Sequence, residues 1–111
     1  MKTRIDIFVS LLIISFSISA FADAGWTGYA QVTELTSTNL PYFLVTLKSS
    51  ENPSGCRNKS VYYCDFTSIG SEQMFKTLLG AVTSGKMVRL YVTGNCELNG
   101  YSEISEVSII P

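Results

Sequence analysis

Histidine is absent from this 111-residue sequence, and positive charge is sparse. Without histidine, the commonest general base and metal ligand are missing, which excludes Ser-His-Asp and Cys-His nucleophilic chemistry. Lysine and arginine number 8 against 9 aspartates and glutamates, a formal net charge of −1. Because nucleic-acid binding needs clustered positive charge, this balance argues against it. We therefore expect a protein without enzymatic activity, without a cofactor and without a nucleic-acid partner.

Long apolar runs are also scarce, and the clearest one lies at the N-terminus. Lys2 and Arg4 precede an apolar stretch over residues 7–18, and residues 20–22 are Ala-Phe-Ala. A positive start, a short apolar stretch and a small-x-small sequence are typical of a cleaved signal peptide. The alternative, a membrane anchor, is disfavoured because three serines interrupt a run shorter than the roughly 20 residues that span a bilayer. We predict that residues 1–22 are removed, leaving 23–111 as one periplasmic or secreted domain without a membrane span.

Cysteine is rare as well, with Cys56, Cys64 and Cys96 all in the exported part. Export places them in an oxidising compartment, where a disulfide is the default. Cys56 and Cys96 follow turn-forming residues, whereas Cys64 lies within a predicted strand, so we expect a Cys56–Cys96 bridge. Cys64 is then a buried free thiol, with an intermolecular bridge as the alternative. Zinc binding is disfavoured because the cysteines are not paired as Cys-x-x-Cys.

Alternation of apolar and polar residues predicts five strands. They cover residues 26–35, 42–48, 61–66, 86–93 and 101–110. In the second strand Phe43, Val45 and Leu47 should point inward, and in the fourth Val88, Leu90 and Val92 should do so. In the fifth strand Ile104 is out of phase with the apolar residues that follow it. A β-bulge near Ser105 or Glu106 would restore the register.

One segment has helical periodicity, with apolar residues three and four positions apart between residues 74 and 82. We predict a helix over residues 72–84, with Ser71 as the N-cap and Gly85 just past the end. Three strands, a helix and two strands is the layout of an OB-fold, so we predict a mainly β, five-stranded OB-fold-like barrel with its helix between strands 3 and 4. The alternative is an open α+β sheet with one packed helix.

Two stretches resemble toxin subunits. They are Trp26-Thr27-Gly28 and residues 84–91, Ser-Gly-Lys-Met-Val-Arg-Leu-Tyr. Both are similar to the B subunits of subtilase cytotoxin and pertussis-type toxins, which are OB-fold proteins that form five-membered rings and bind glycans. Over nearly all of residues 23–111 the chain also resembles small exported bacterial OB-fold-like proteins with a Pro-x-Gly-Cys loop and a Gly-x-Cys turn. The resemblance implies a homo-oligomer that binds a glycan or receptor, and its recurring cysteine pair agrees with the Cys56–Cys96 bridge.

The candidate ligand-binding residues are aromatic. Tyr29, Tyr91 and Tyr101, together with Arg89, fall on strand faces or ends opposite the predicted core. Flat amphipathic rings stack on the apolar faces of sugars, and polar groups bind the sugar hydroxyls. For Trp26 the sequence favours a packing role, in which the side chain fills one end of the barrel, over a role as a ligand-binding surface.

These observations predict a non-enzymatic binding module, with a glycan or a protein receptor as its ligand. The alternative is a periplasmic protein-binding factor, such as an enzyme inhibitor or an envelope-stress protein. A hydrolase would have to use paired carboxylates, for which Asp65, Glu103 and Glu106 are the candidates. No motif supports that chemistry, and an exposed strand face explains Glu103 and Glu106 more simply.

Overall fold

A computed structural model describes residues 24–48 and 51–111, which form six strands and one helix. The elements are β1 (Gly25–Trp26), β2 (Ala30–Ser37), β3 (Tyr42–Leu47), β4 (Val61–Asp65), α1 (Ser71–Ser84), β5 (Met87–Val92) and β6 (Ser102–Ile109). The predicted signal peptide, residues 1–22, lies outside the described residues. Within these ranges, no helix has both the length and the apolarity to cross a membrane.

Strand pairing links the five longer strands in the order β2, β3, β4, β6, β5, and β5 pairs in turn with β2. The β4–β6 pair is parallel, and the other pairs are antiparallel. The short β1 adds to β5, and α1 follows β4 in the chain and precedes β5. The mainly β class with one helix is confirmed. The finer OB-fold-like barrel stays a prediction, as does its open-sheet alternative.

The predicted first strand, residues 26–35, is wrong as a single element, because a three-residue break divides it into β1 and β2. Thr27 is buried in this break, where its N–H donates to Leu90 O at 2.8 Å and its Oγ1 accepts from Leu90 N–H at 3.0 Å. Gly28 N–H then donates to Glu51 O at 3.1 Å. Because Thr27 turns inward to bond β5, the predicted alternation is interrupted between β1 and β2.

The core lies between the strands and one face of α1. The buried hydrophobic residues of this cluster are Ala30, Phe43, Val45, Leu47, Tyr62, Cys64, Leu78, Ala81, Val88, Leu90, Val92 and Ile104. The predicted inward residues of β3 and β5 are all among them, so the alternation in these two strands is confirmed. In β6, Glu106 is opposite Tyr91 and Ile104 is opposite Val92, which leaves Ser105 as the extra residue of the predicted bulge.

The helix begins one residue earlier than predicted. Gly70, with φ of 85°, is the N-cap, so the assignment of Ser71 to that position is wrong. The Ser71 hydroxyl donates instead to Phe66 O at 3.2 Å, and the first turn has no side-chain cap. The C-terminal prediction is confirmed, because Gly85 takes the left-handed conformation and its N–H donates to Ala81 O.

Substitution by alanine should have opposite effects at Gly80, within α1, and at Gly85, just after its end. Gly85→Ala places a Cβ at φ of 70°, and we expect it to lower the free energy of unfolding by about 1 kcal/mol. Gly80 lies inside the helix with nothing within 4 Å of an added Cβ, so Gly80→Ala should raise that free energy by roughly 0.5–1 kcal/mol. Urea denaturation of both variants measures the difference. Equal effects of the same sign would contradict this account of the helix end.

A disulfide joins Cys56 to Cys96, with the Cα atoms 5.4 Å apart, so the predicted pair is confirmed. Asn58 N–H also donates to Gly100 O at 3.1 Å, which ties the segment before β4 to the loop before β6. Cys64 is fully buried and free, as predicted. Burial raises the pKa of its thiol to about 11, and the charges of Glu103 and Asp65 act in the same direction. Cys64 is therefore a protonated, apolar core residue at neutral pH.

Candidate functional site

Four side chains on β1, β5 and the segment between β1 and β2 form a cluster that we call the Arg89 face. It consists of Trp26, Tyr29, Arg89 and Tyr91. The Arg89 guanidinium carbon lies 4.2 Å from the centre of the Trp26 ring and 5.2 Å from that of the Tyr29 ring. Trp26 and Tyr91 are opposite each other across the β1–β5 pair, and their rings meet edge to face at 5.4 Å. The guanidinium is thus held by cation–π contacts with two rings.

Arg89 has no charged partner on this face. It forms no ion pair with any described residue, and its buried Nε lacks a hydrogen-bond partner there. An unsatisfied buried donor costs about 1–3 kcal/mol, so such a position is uncommon in folded proteins. Among its neighbours, Ser108 is opposite Arg89 in the β5–β6 pair, and its Oγ lies 3.5 Å from the Tyr29 hydroxyl. The arrangement leaves a cation that lies between two aromatic rings and has no ion-pair partner among the described residues.

The structure brings together three of the four predicted ligand-binding residues, which are Tyr29, Arg89 and Tyr91. Tyr101 does not join them. It ends the loop before β6, where its N–H donates to Leu98 O at 2.8 Å, and no ring contact of the described residues links it to the Arg89 face. Trp26 was not predicted as a site residue. Its place depends on β1 pairing with β5, a contact between residues far apart in the sequence for which no local pattern gives a signal.

A separate concave surface, which we call the acidic cleft, has a volume of about 260 Å³. It is lined by Tyr42, Tyr63, Asp65, Asn95, Glu97, Leu98 and Glu103. Strand pairing explains much of this set, since Tyr42 is opposite Asp65 and Tyr63 is opposite Glu103. The loop over residues 93–101 supplies the remaining wall, and the disulfide holds that loop in place.

The electrostatics of the acidic cleft are uniformly negative. Asp65 accepts hydrogen bonds from the N–H and Oγ1 of Thr67, both at 2.9 Å, and these lower the pKa of its carboxyl. Glu103 accepts from Thr93 Oγ1 at 2.9 Å. Burial raises the pKa of Tyr63, and the charges of Glu103, Glu97 and Asp65 add to this effect. The Tyr63 phenol is therefore neutral at neutral pH.

The carboxylates of the hydrolase alternative are divided between two places. Asp65 and Glu103 line the acidic cleft, whereas Glu106 is opposite Tyr91 in the β5–β6 pair and is not among the lining residues. Within residues 24–48 and 51–111, no group of three or more potential side-chain ligands is arranged to hold a metal ion. The cleft thus offers hydrogen-bond acceptors and aromatic rings rather than a metal centre.

Comparison with known proteins does not assign the chain to a family. No protein-family model, no curated protein and no solved structure matches it.

Proposed function

We propose that this protein is an exported, non-enzymatic binding module that binds a glycan through the Arg89 face. The single observation that supports this most strongly is the Arg89 guanidinium, which packs against Trp26 and Tyr29 and forms no ion pair with any described residue. Sugar hydroxyls supply acceptors, and aromatic rings beside them supply the apolar surface on which a pyranose stacks. A fixed arginine between rings loses little entropy when it donates to such a ligand.

The proposed architecture behind this face is an OB-fold-like barrel. It is supported by the pairing of β5 with both β2 and β6, which returns the strand order to its start, and by the place of α1 between β4 and β5. OB-folds bind oligosaccharides as well as nucleic acids, and the formal net charge of −1 disfavours nucleic acids. A toxin-B-type protein would also assemble as a homo-oligomer, which multiplies a weak sugar affinity through avidity.

The test is a glycan array with the purified exported part, combined with light scattering for the oligomeric state. On a bound glycan, Arg89→Gln should weaken affinity by roughly tenfold or more, because hydrogen bonds from a charged donor contribute about 1.5–3 kcal/mol. Lys76→Gln removes the same charge from the exposed surface of α1 and should leave affinity unchanged. An array without any bound glycan, or equal affinity of the two variants, would refute the proposal.

A second candidate function, a periplasmic protein-binding factor, is favoured by the acidic cleft. The volume of the acidic cleft, about 260 Å³, is below the range of about 300–1,000 Å³ that is usual for small-molecule sites. A single side chain of a protein partner suits such a cavity better than a whole ligand does. Pull-down from periplasmic extract should then recover one dominant protein.

A further inference from the structure

We propose that the glycan site extends from the Arg89 face across β5 to β6, where the Glu106 carboxylate accepts a hydrogen bond from a sugar hydroxyl. The ligand is then a sugar with two neighbouring free hydroxyls, of which one accepts from Arg89 and the other donates to Glu106. This inference rests on the proposed function, and it adds a class of sugar and a binding residue on a second strand.

Strand register places Glu106 on the same side of the sheet as Arg89. Three residues of β5 are fully buried, and Arg89 and Tyr91, which alternate with them, point outward. Ser108 is opposite Arg89 in the β5–β6 pair, and Glu106 is opposite Tyr91. Directly opposite residues of an antiparallel pair lie on one face, and diagonal neighbours are about 7–8 Å apart. Glu106 is therefore a diagonal neighbour of Arg89 on the outer face.

The β-bulge at Ser105 turns Glu106 outward. Ile104, before the bulge, is buried and is opposite Val92. Strict alternation from Ile104 would point Glu106 into the core, but the extra residue shifts the phase, so that Glu106 is exposed and opposite Tyr91. Bulges commonly re-aim a side chain beside a functional site. This bulge brings a carboxylate to the face that carries the guanidinium.

The two opposite charges on this face do not pair with each other. The Glu106 carboxylate forms no hydrogen bond or ion pair with any described residue, and Arg89 forms no ion pair with one. Next to them is Ser108, whose Oγ lies 3.5 Å from the Tyr29 hydroxyl. Because serine is small, it occupies little of the outer surface beside the guanidinium and the carboxylate. A ligand can therefore lie across β5 and β6 and contact both charged groups.

A sugar with free hydroxyls matches this pair of groups better than a simple anion does. An anion accepts from Arg89 but has nothing to donate to Glu106, whereas a hydroxyl both donates and accepts. Two neighbouring hydroxyls of one pyranose ring can therefore bind the guanidinium and the carboxylate together. The rings of Trp26 and Tyr29 supply the apolar surface on which the pyranose stacks.

The experiment repeats the glycan array with two further variants of the exported part. Glu106→Ala removes the carboxylate from β6, and Glu34→Ala removes the same group from an exposed position of β2 that is not paired with β5. On a bound glycan, Glu106→Ala should weaken affinity roughly tenfold, the loss expected for a hydrogen bond to a charged acceptor. Glu34→Ala should leave affinity unchanged. Both glutamates are exposed, so both variants should fold like the parent, which urea denaturation checks.

The array distinguishes two kinds of failure. If Arg89→Gln weakens binding but Glu106→Ala behaves like Glu34→Ala, the extension to β6 is wrong and glycan binding through the Arg89 face stands. If no glycan is bound, or if Arg89→Gln has no effect, the proposed function fails and this inference fails with it.

Monodeoxy derivatives of a bound glycan test the hydroxyl itself. Each derivative lacks one hydroxyl of the terminal sugar. One of them should bind the parent about tenfold more weakly than the intact glycan does. The same derivative should bind the parent and Glu106→Ala equally, because the donor to Glu106 is already missing. If every derivative still loses affinity on Glu106→Ala, the carboxylate acts through its charge alone and the proposed hydrogen bond is rejected.

Discussion

Replacing Cys56 and Cys96 together by serine is expected to lower the free energy of unfolding by about 3–4 kcal/mol. The bridge spans a sequence separation of 40 residues, and the chain-entropy model assigns roughly this stabilisation to a loop of that length. Small domains have only about 5–15 kcal/mol in total, so the effect is a large share of their stability. Urea denaturation of parent and double variant provides the measurement.

Reductant provides the matched control for this prediction. Dithiothreitol should lower the stability of the parent to that of the double variant and leave the double variant unchanged, because Cys64 is not part of the bridge. The same loss should loosen the loop over residues 93–101, which supplies one wall of the acidic cleft. A stability loss below about 1 kcal/mol would contradict the assignment of a structural role to the bridge.

The second large effect is expected at Phe43, where substitution by alanine should cost about 3–5 kcal/mol of unfolding free energy. Phe43 on β3 is 0% exposed, and its ring lies 5.4 Å from that of Phe66 and 5.2 Å from that of Phe75 on α1. Truncation removes the apolar contact between β3 and the helix and leaves a cavity that the surrounding strands cannot close. The loss of unfolding free energy is measured by urea denaturation and by calorimetry.

Leu44→Ala is the control, because Leu44 is the next residue of β3, points to the opposite side and is half-buried. We expect it to cost about 1 kcal/mol, near the average for single substitutions. If the two alanine variants lost equal stability, the buried ring of Phe43 and its contacts with Phe66 and Phe75 would not be a main source of stability in this core.

Local patterns in the sequence were sufficient for most of the secondary structure. The structure agrees with the predictions that depend on neighbouring residues. These are the period-2 alternation of β3 and β5, the helical spacing of α1, the glycine after its end and the β-bulge at Ser105. The prediction of a single first strand failed because a distant residue intervened. Thr27 bonds Leu90 across the sheet, which ends the strand that its own neighbourhood indicated.

The candidate sites were only partly predictable for the same reason. The outward positions of Tyr29, Arg89 and Tyr91 predict them as ligand-binding residues, but Trp26 joins their cluster only through the pairing of β1 with β5. The acidic cleft was not anticipated, although Asp65 and Glu103 had been singled out as carboxylates. Its lining residues are spread over residues 42–103. The β3–β4 and β4–β6 pairs and the disulfide-linked loop over residues 93–101 bring them together.

The sequence by itself determined the mainly β class, the single helix and the cysteine pair, because residue periodicity and turn chemistry act over a few neighbouring positions. Only the tertiary structure shows that the described residues form six strands. It also shows that the Arg89 guanidinium lies near the rings of Trp26 and Tyr29, and that a cavity with three acidic residues lies beside Tyr63. Those features arise from contacts between segments separated by tens of residues, and a linear pattern does not specify which strands meet.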